Sequence, residues 1–260
     1  MTQLRLLLPG TAVVGEVDEE ATGEPPAAED VVQALADLYA YPDPMPAGGW
    51  LRANMVASLD GAATGPDGRS GSVSSAVDRL VFGVLRGLAD VILVGAGTVR
   101  IEGYRVPAAR PAFAERRAAA GQAPAPALAV VTRSGRVPVL AGAPRGYVVT
   151  CAAADPERVR AASGAREVIV AGDQDVDVGL AVARLSGLGL GRVLLEGGPG
   201  LLASAAAGGR VDELCLTLTP VMLGGAAARI SHGRPAALPL RLAHLAECGG
   251  TLLGRWLVQR

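Results

Sequence analysis

The chain has 260 residues, 50% hydrophobic and 19% charged, which is enough for one sizeable core or two small ones and too apolar for a disordered protein. A total of 24 Lys and Arg against 25 Asp and Glu leaves a formal net charge of -1, so no bulk field draws the protein to nucleic acid or to an anionic membrane. Every one of those cations is an arginine, and the absence of lysine excludes Schiff-base chemistry, a Walker A loop and a Tyr/Lys dehydrogenase couple.

Cys151, Cys215 and Cys248 are widely spaced and form no C-x-x-C pair, which suggests neither a disulfide framework nor a zinc knuckle and fits a reducing cytoplasm. His232 and His244 belong to no H-E-x-x-H or H-x-E pattern, so zinc hydrolysis and zinc deamination are not expected, and no metal is. The apolar run Leu6 to Leu8 is shorter than a signal-peptide core, and no stretch approaches the roughly eighteen apolar residues of a membrane helix.

In chain order, residues 1–48 read as an appendage: a short apolar piece, an acidic stretch from Glu16 to Asp30, then a helix carrying Val32, Leu35, Ala36 and Tyr39 at helical spacing. Leu35 and Leu38 need cover, so this helix is expected to pack on the core or on a partner subunit. Pro42, Pro44 and Pro46 end it. From residue 49 to 260 short apolar runs alternate with Gly-rich turns and helical stretches, the habit of an α/β fold with a mostly parallel sheet. Strands are expected near 51–57, 90–94, 127–132, 146–150, 167–171, 192–195, 213–219 and 251–258. Between the first two, Leu80, Val81, Val84, Leu85 and Leu88 form one stripe of a helix over 75–88, with Ser74 or Ser75 as cap. An exposed helix is expected around Pro111 to Ala120.

Two glycine-rich turns follow buried strands. Gly95-Ala-Gly97-Thr98-Val99-Arg100 follows the first, and Glu196-Gly197-Gly198-Pro199-Gly200-Leu201-Leu202 the second. Glycine lets backbone N–H groups approach a phosphate, and a helix starting at the turn aims its positive end at the anion. Two such turns at one edge of a sheet could hold a dinucleotide; either alone is more often plain turn geometry. The first gives G-x-G-x-x-R, without the third glycine or the downstream acidic residue of a Rossmann fingerprint. Thr132-Arg133-Ser134 offers a guanidinium and two hydroxyls at a strand end, suited to a 2′-phosphate and so to NADP, or simply a solvated turn. Asn54 and Asp60 sit where polar groups can reach a cleft at the end of an early strand. Ser70, Ser72, Ser74 and Ser75 crowd the next loop, able to bind a sugar or phosphate or to serve only as loop and cap. Asp212 and Glu213 open a strand and read as structural.

The strings "RANMVASLDGAATGPDGRSG", "SSAVDRLVFGVLRGLADVILVGAGTVRIEGY" and "LLEGGPGLLASAAAGGRVDELCLTLTPVMLGG" resemble the reductase domain of the riboflavin pathway, the pyrimidine reductases with a dihydrofolate-reductase-like fold. The long amino-terminal appendage and the phrase "RANMVASLDGAA" resemble a stand-alone actinobacterial subgroup. This resemblance implies a mostly parallel sheet ending in an antiparallel hairpin, NADPH across its carboxyl edge and a homodimer. It places cofactor contacts on Ala57, Ser72, Thr98, Glu102, Thr132 to Ser134 and Gly198 to Ser204, and substrate contacts on Ser70, Arg86, Val106 and Glu196. Ser72 stands where some relatives carry tryptophan, Glu102 replaces an aspartate, and a second phosphate-gripping arginine has no counterpart beyond Arg105 or Arg110. The pattern of the zinc deaminase often fused ahead of this reductase does not occur, so deamination is expected elsewhere.

The implied reaction is hydride transfer to C1′ of 5-amino-6-(5-phosphoribosylamino)uracil, with Asp60 and Glu196 as candidates for orienting ribityl hydroxyls or relaying a proton and Arg86 for the phosphate. A pteridine such as dihydrofolate, or another pyrimidine, in the same cleft is the alternative within the enzyme class. A non-catalytic nucleotide-binding module is the alternative outside it.

Overall fold

The computed structural model describes residues 1–25, 27–138, 146–164 and 166–260. The chain opens with β1 (Thr2–Leu8), β2 (Ala12–Val17) and α1 (Glu29–Leu38), then runs through β3 (Trp50–Ser58), α2 (Ala76–Leu88), β4 (Val91–Gly95), α3 (Ala96–Glu102) and α4 (Ala114–Ala119). There follow β5 (Ala127–Val131), β6 (Gly146–Thr150), α5 (Pro156–Ser163), β7 (Glu167–Val170), α6 (Val178–Gly187), β8 (Arg192–Leu195) and α7 (Pro199–Ala207). The last three strands are β9 (Glu213–Thr219), β10 (Leu240–Cys248) and β11 (Thr251–Val258). Among the described residues all strands join one sheet, ordered β2-β1-β10-β11-β9-β3-β8-β4-β5-β6-β7. The run from β9 to β7 is parallel, and β11, β10, β1 and β2 extend it in antiparallel pairs. The mostly parallel sheet with an antiparallel carboxyl-terminal hairpin, expected from the sequence, is therefore present.

All eight expected strands form, and three more appear. In β10 the inward set is His244, Ala246 and Cys248, so small and polar side chains occupy the positions whose apolar alternation normally marks a strand. A register shift between Leu242 and His244 breaks the period as well. Only Leu4 is fully buried in β1, and the strand is held by pairing with β2 on one side and β10 on the other rather than by a continuous apolar face. The first 48 residues thus supply two strands of the main sheet besides the expected helix.

That helix, α1, buries Val31, Val32, Leu35 and Ala36 in one cluster with the predicted stripe of α2. Ser75 caps α2 by accepting from Asp78 N–H at 3.3 Å. The segment around Pro111 to Ala120 is helical and mostly exposed, as expected, but two buried side chains anchor it. Phe113 is fully buried beneath α2, and Arg117, only 2% exposed, donates to the carbonyls of Gly87, Ala89 and Ala123 at 2.7–2.9 Å. A helix leaves its last carbonyls without intrahelical partners, and this guanidinium satisfies them where water has no access.

Glu213 joins the two sides of the fold. Its carboxylate accepts from Arg52 Nε at 2.7 Å, Arg255 Nε at 2.9 Å and Trp50 Nε1 at 2.9 Å. Arg255 also donates to the carbonyls of Leu38 and Ala40, fastening the end of α1 to the sheet. Tyr41 lies 4.0 Å beneath the Arg52 guanidinium, and Tyr39 meets the His244 ring edge-on at 4.6 Å. The structural reading of Asp212 and Glu213 fits this network, in which Asp212 takes Arg210 and Arg260.

Burial, reinforced by the charge of Arg255, lowers His244 from 6.5 to about 4. The unfolded chain therefore takes up this proton at a higher pH than the folded one. The histidine's contribution is complete above pH 6.5 and is lost as the pH falls towards 4, to an extent on the order of 3 kcal/mol. Urea unfolding of wild type and His244→Phe across this window should show a steeper acid loss in the wild type. Parallel curves would contradict the assignment.

Candidate active site

The two glycine turns meet. β4 and β8 pair in parallel with Leu93 opposite Leu195, so Gly95 and Glu196-Gly197 leave the sheet at the same level. Gly95 N–H donates to the Gly197 carbonyl at 2.9 Å, and the Gly197–Gly198 peptide is cis. Gly197 has φ +86°, which glycine adopts without steric cost. A Cβ on Gly198 would stand 2.7 Å from Thr98 Oγ1, so a side chain there would fill the space between the turns. Gly198 caps α7, with Pro199 in its first turn. The neighbouring strand β5 ends in register, Val131 beside Gly95, and delivers Thr132 to Ser134 to the same edge.

Beside these turns opens a cleft of about 490 Å³, walled by β3, α2, the loop before α2, the end of α3 and the Gly197-Gly198 turn. Asp78, Phe82 and Arg86 recur at four-residue spacing on one face of α2, and all three line it. Arg86 donates to Glu196 through Nε and Nη2, both at 2.7 Å, and Tyr104 OH donates to Glu196 Oε2 at 2.8 Å. The Glu196 side chain is 1% exposed. Phe82 stacks under the Arg86 guanidinium at 4.2 Å. Burial, then the negative charge of Glu196, holds the Tyr104 phenol well above its ordinary range.

Several expected site residues are gathered here: Ser70, Arg86, Thr98, Glu102, Glu196, Gly197, Gly198 and Pro199 line the cleft. Glu102 accepts from Ser70 N–H at 2.9 Å and so fixes the loop that forms one wall. Others lie apart. The exposed Asp60 carboxylate is bound by Ser58 Oγ at 2.5 Å, Gly224 N–H at 2.6 Å and Leu223 N–H at 3.2 Å. These donors, the Ser58 hydroxyl first, lower it to about 2, so it ties the 223–224 turn in place and does not face the cleft. Ser72 is exposed and bonds to Asp67, Ala57 is buried within β3, and Val106 lies just beyond the lining. Val99 and Leu202 are core side chains, leaving only their backbone for a ligand. Ser204 Oγ is engaged by the Gly200 carbonyl, and Thr132 is 5% exposed with its hydroxyl directed to Arg136 O. Arg133 pairs at the surface with Asp175 at 3.3 Å, and Ser134 Oγ accepts from Arg136 N–H.

Arg86, expected to hold the phosphate, gives two of its donor groups to the Glu196 carboxylate. Arg110 is taken by Glu24, while Arg79 donates to the carbonyls of Gly23, Ala21 and Ser74. Among the described residues, Arg105 is the cleft guanidinium with no protein partner. Tyr104, Asp78 and Phe82 escaped the sequence reading. The signal for the last two was the line Asp78, Phe82 and Arg86, four residues apart, on a helix whose other positions are apolar or glycine except Arg79.

The RibD C-terminal domain family matches residues 49–253. The chain belongs to this family, the oxidoreductases that act as pyrimidine reductases in riboflavin biosynthesis. It is 31% identical over 176 residues to the 2,5-diamino-6-ribosylamino-4(3H)-pyrimidinone 5′-phosphate reductase of Archaeoglobus fulgidus, covering 66% of this chain and 80% of that one. The protein of the same name from Methanothermobacter thermautotrophicus is 33% identical over 180 residues, covering 68% and 80%. A crystal structure of a pyrimidine reductase-like protein from Corynebacterium diphtheriae superposes with a TM-score of 0.75 at 25% identity, covering 87% of this chain and 98% of that one.

Removing one partner of the Arg86–Glu196 pair leaves a desolvated charge behind. Glu196→Ala should cost about 3 kcal/mol in denaturant unfolding, and Tyr104→Phe, which loses one charge-assisted bond, about 1–2 kcal/mol. Midpoints unchanged in both variants would show that this triad does not anchor the cleft.

Proposed function

We propose that the protein reduces a 6-ribosylaminopyrimidine 5′-phosphate with NADPH, the ribosylamine ring opening to an imine whose C1′ carbon is reduced. The observation that carries this reading is the junction of the Gly95 and Gly197-Gly198 turns beside a cleft lined with groups for a polar, phosphorylated substrate. Gly198 lies so close to Thr98 that a side chain would not fit between the turns, and the bare backbone at the start of α7 suits the close approach that a pyrophosphate needs. In this assignment Gly198, Pro199 and Thr98 hold the pyrophosphate, and Arg133 exchanges its exposed partner Asp175 for a 2′-phosphate. A bound reduced nicotinamide supplies the hydride.

The chain's own contribution is positioning and charge. Glu196, held in place by Arg86 and Tyr104, accepts hydrogen bonds from the ribityl hydroxyls. Fixed by these donors, the carboxylate orients the substrate. The imine nitrogen takes its proton from water. Arg105, exposed at the cleft and unpaired among the described residues, holds the 5′-phosphate. The exposed Leu59, Val221 and Met222 suit a homodimer that covers them, and three buried free cysteines suit the cytoplasm.

The test is loss of NADPH absorbance on adding the diaminopyrimidinone or the uracil form of the ribosylamine phosphate to the purified full chain. Arg105→Ala should raise KM at least about tenfold with little change in kcat, as expected for a charged hydrogen bond of about 1.5–3 kcal/mol. An unchanged KM removes Arg105 from phosphate binding, and absence of turnover with both substrates rejects the reading.

A further inference from the structure

We propose that Asp78 makes the cleft selective for a 2-amino-4-oxopyrimidine ring over the corresponding uracil ring. This rests on the reading of the cleft as a pyrimidine site. Asp78 stands in the first turn of α2, is 6% exposed and lines the cleft beside Phe82 and Asn54. Its backbone N–H serves the helix cap, whereas its carboxylate is directed elsewhere: Oδ2 accepts from Ser74 Oγ at 2.5 Å, and the Thr217 hydroxyl is a second donor. No cation is bonded to it among the described residues. Burial pushes the Asp78 carboxyl up while these hydroxyls oppose the shift; in the carboxylate form, two hydroxyl donors leave part of its four or so acceptor sites free, and that remaining capacity is acceptor-only.

The two candidate rings differ at the atom such a group reads. In the 2-amino-4-oxopyrimidine, N3–H and the exocyclic 2-amino group form an adjacent donor pair that matches the two oxygens of a carboxylate. In the uracil, O2 replaces the amino group, so an acceptor faces an acceptor in a site with little water to intervene. A site built to accept hydrogen bonds rejects an analogue that lacks the donor far more strongly than an apolar pocket rejects a misfit methyl group. Phe82, one turn along the same helix face, offers an apolar ring at the cleft wall. Asn54 brings an amide with no protein hydrogen bond among the described residues. The selectivity is thus assigned to Asp78, the group there that can only accept.

The experiment compares wild type with Asp78→Asn, an isosteric change that turns one acceptor into a donor and so complements the O2 and N3–H of uracil. Measured as kcat/KM with NADPH, wild type should favour the diaminopyrimidinone substrate at least about tenfold, and D78N should shift the ratio towards the uracil by at least the same factor. A wild-type preference for the uracil, or a ratio unmoved in D78N, overturns the proposal. If neither substrate is turned over, the proposed reaction fails, and calorimetric binding of 2,5,6-triaminopyrimidin-4-one against 5,6-diaminouracil decides the role of Asp78 on its own. Preference for the first ring in wild type and for the second in D78N supports it; equal affinities or no binding overturn it. Should D78N fail to fold, the wild-type preference decides alone.

Discussion

Parallel pairing of β4 with β8 is the constraint on which the site depends. Because Leu93 lies opposite Leu195, two turns a hundred residues apart in sequence leave the sheet side by side and share a backbone hydrogen bond. Strands from separate crossover units reach the same carboxyl edge in this type of sheet, and ligands bind there because the strand ends leave backbone groups unpaired. A slip of one residue between these strands would turn their side chains to the opposite faces and separate the turns. The cleft inherits its position from the same register, since Glu196 immediately follows β8 and reaches the Arg86 of α2.

The second organising feature is the use of arginine. In a chain without lysine, guanidinium groups do structural work normally shared among residue types. Arg117 closes the carboxyl end of α2, Arg255 fastens α1 to the sheet, Arg52 shares the Glu213 carboxylate with it, and Arg79 and Arg110 hold the amino-terminal segment against α2. A planar group with five donors can satisfy several carbonyls or a carboxylate at once, which suits buried joints. Composition alone does not distinguish such a clamp from a ligand-binding arginine. Arg86 and Arg105 differ by whether a carboxylate stands within reach.

Much of the fold was legible because its central strands are covered on both faces and read as uninterrupted apolar runs, and because the stripe on α2 keeps helical period throughout. β10 was not legible, since its inward positions are His244, Ala246 and Cys248, and its register depends on partners remote in sequence. The glycine turns could be recognised one at a time, while their meeting required the pairing of β4 with β8. The surroundings of Asp60 were not legible for a related reason: an aspartate beside a glycine has the same local pattern whether it faces a cleft or, as here, accepts from the turn at Leu223 and Gly224. Asp78 was overlooked because its sequence position is that of an ordinary acid in the first turn of a helix.

The central claim is that the joined turns grip the pyrophosphate of a reduced dinucleotide. Calorimetric titration of NADPH into the wild-type chain and into Gly198→Val tests it directly, because the added side chain would collide with Thr98 in the gap. The account predicts saturable binding by the wild type and an affinity at least about tenfold weaker in a variant that still melts cooperatively. No heat with NADPH in the wild type, or equal affinities in the two proteins, would contradict it.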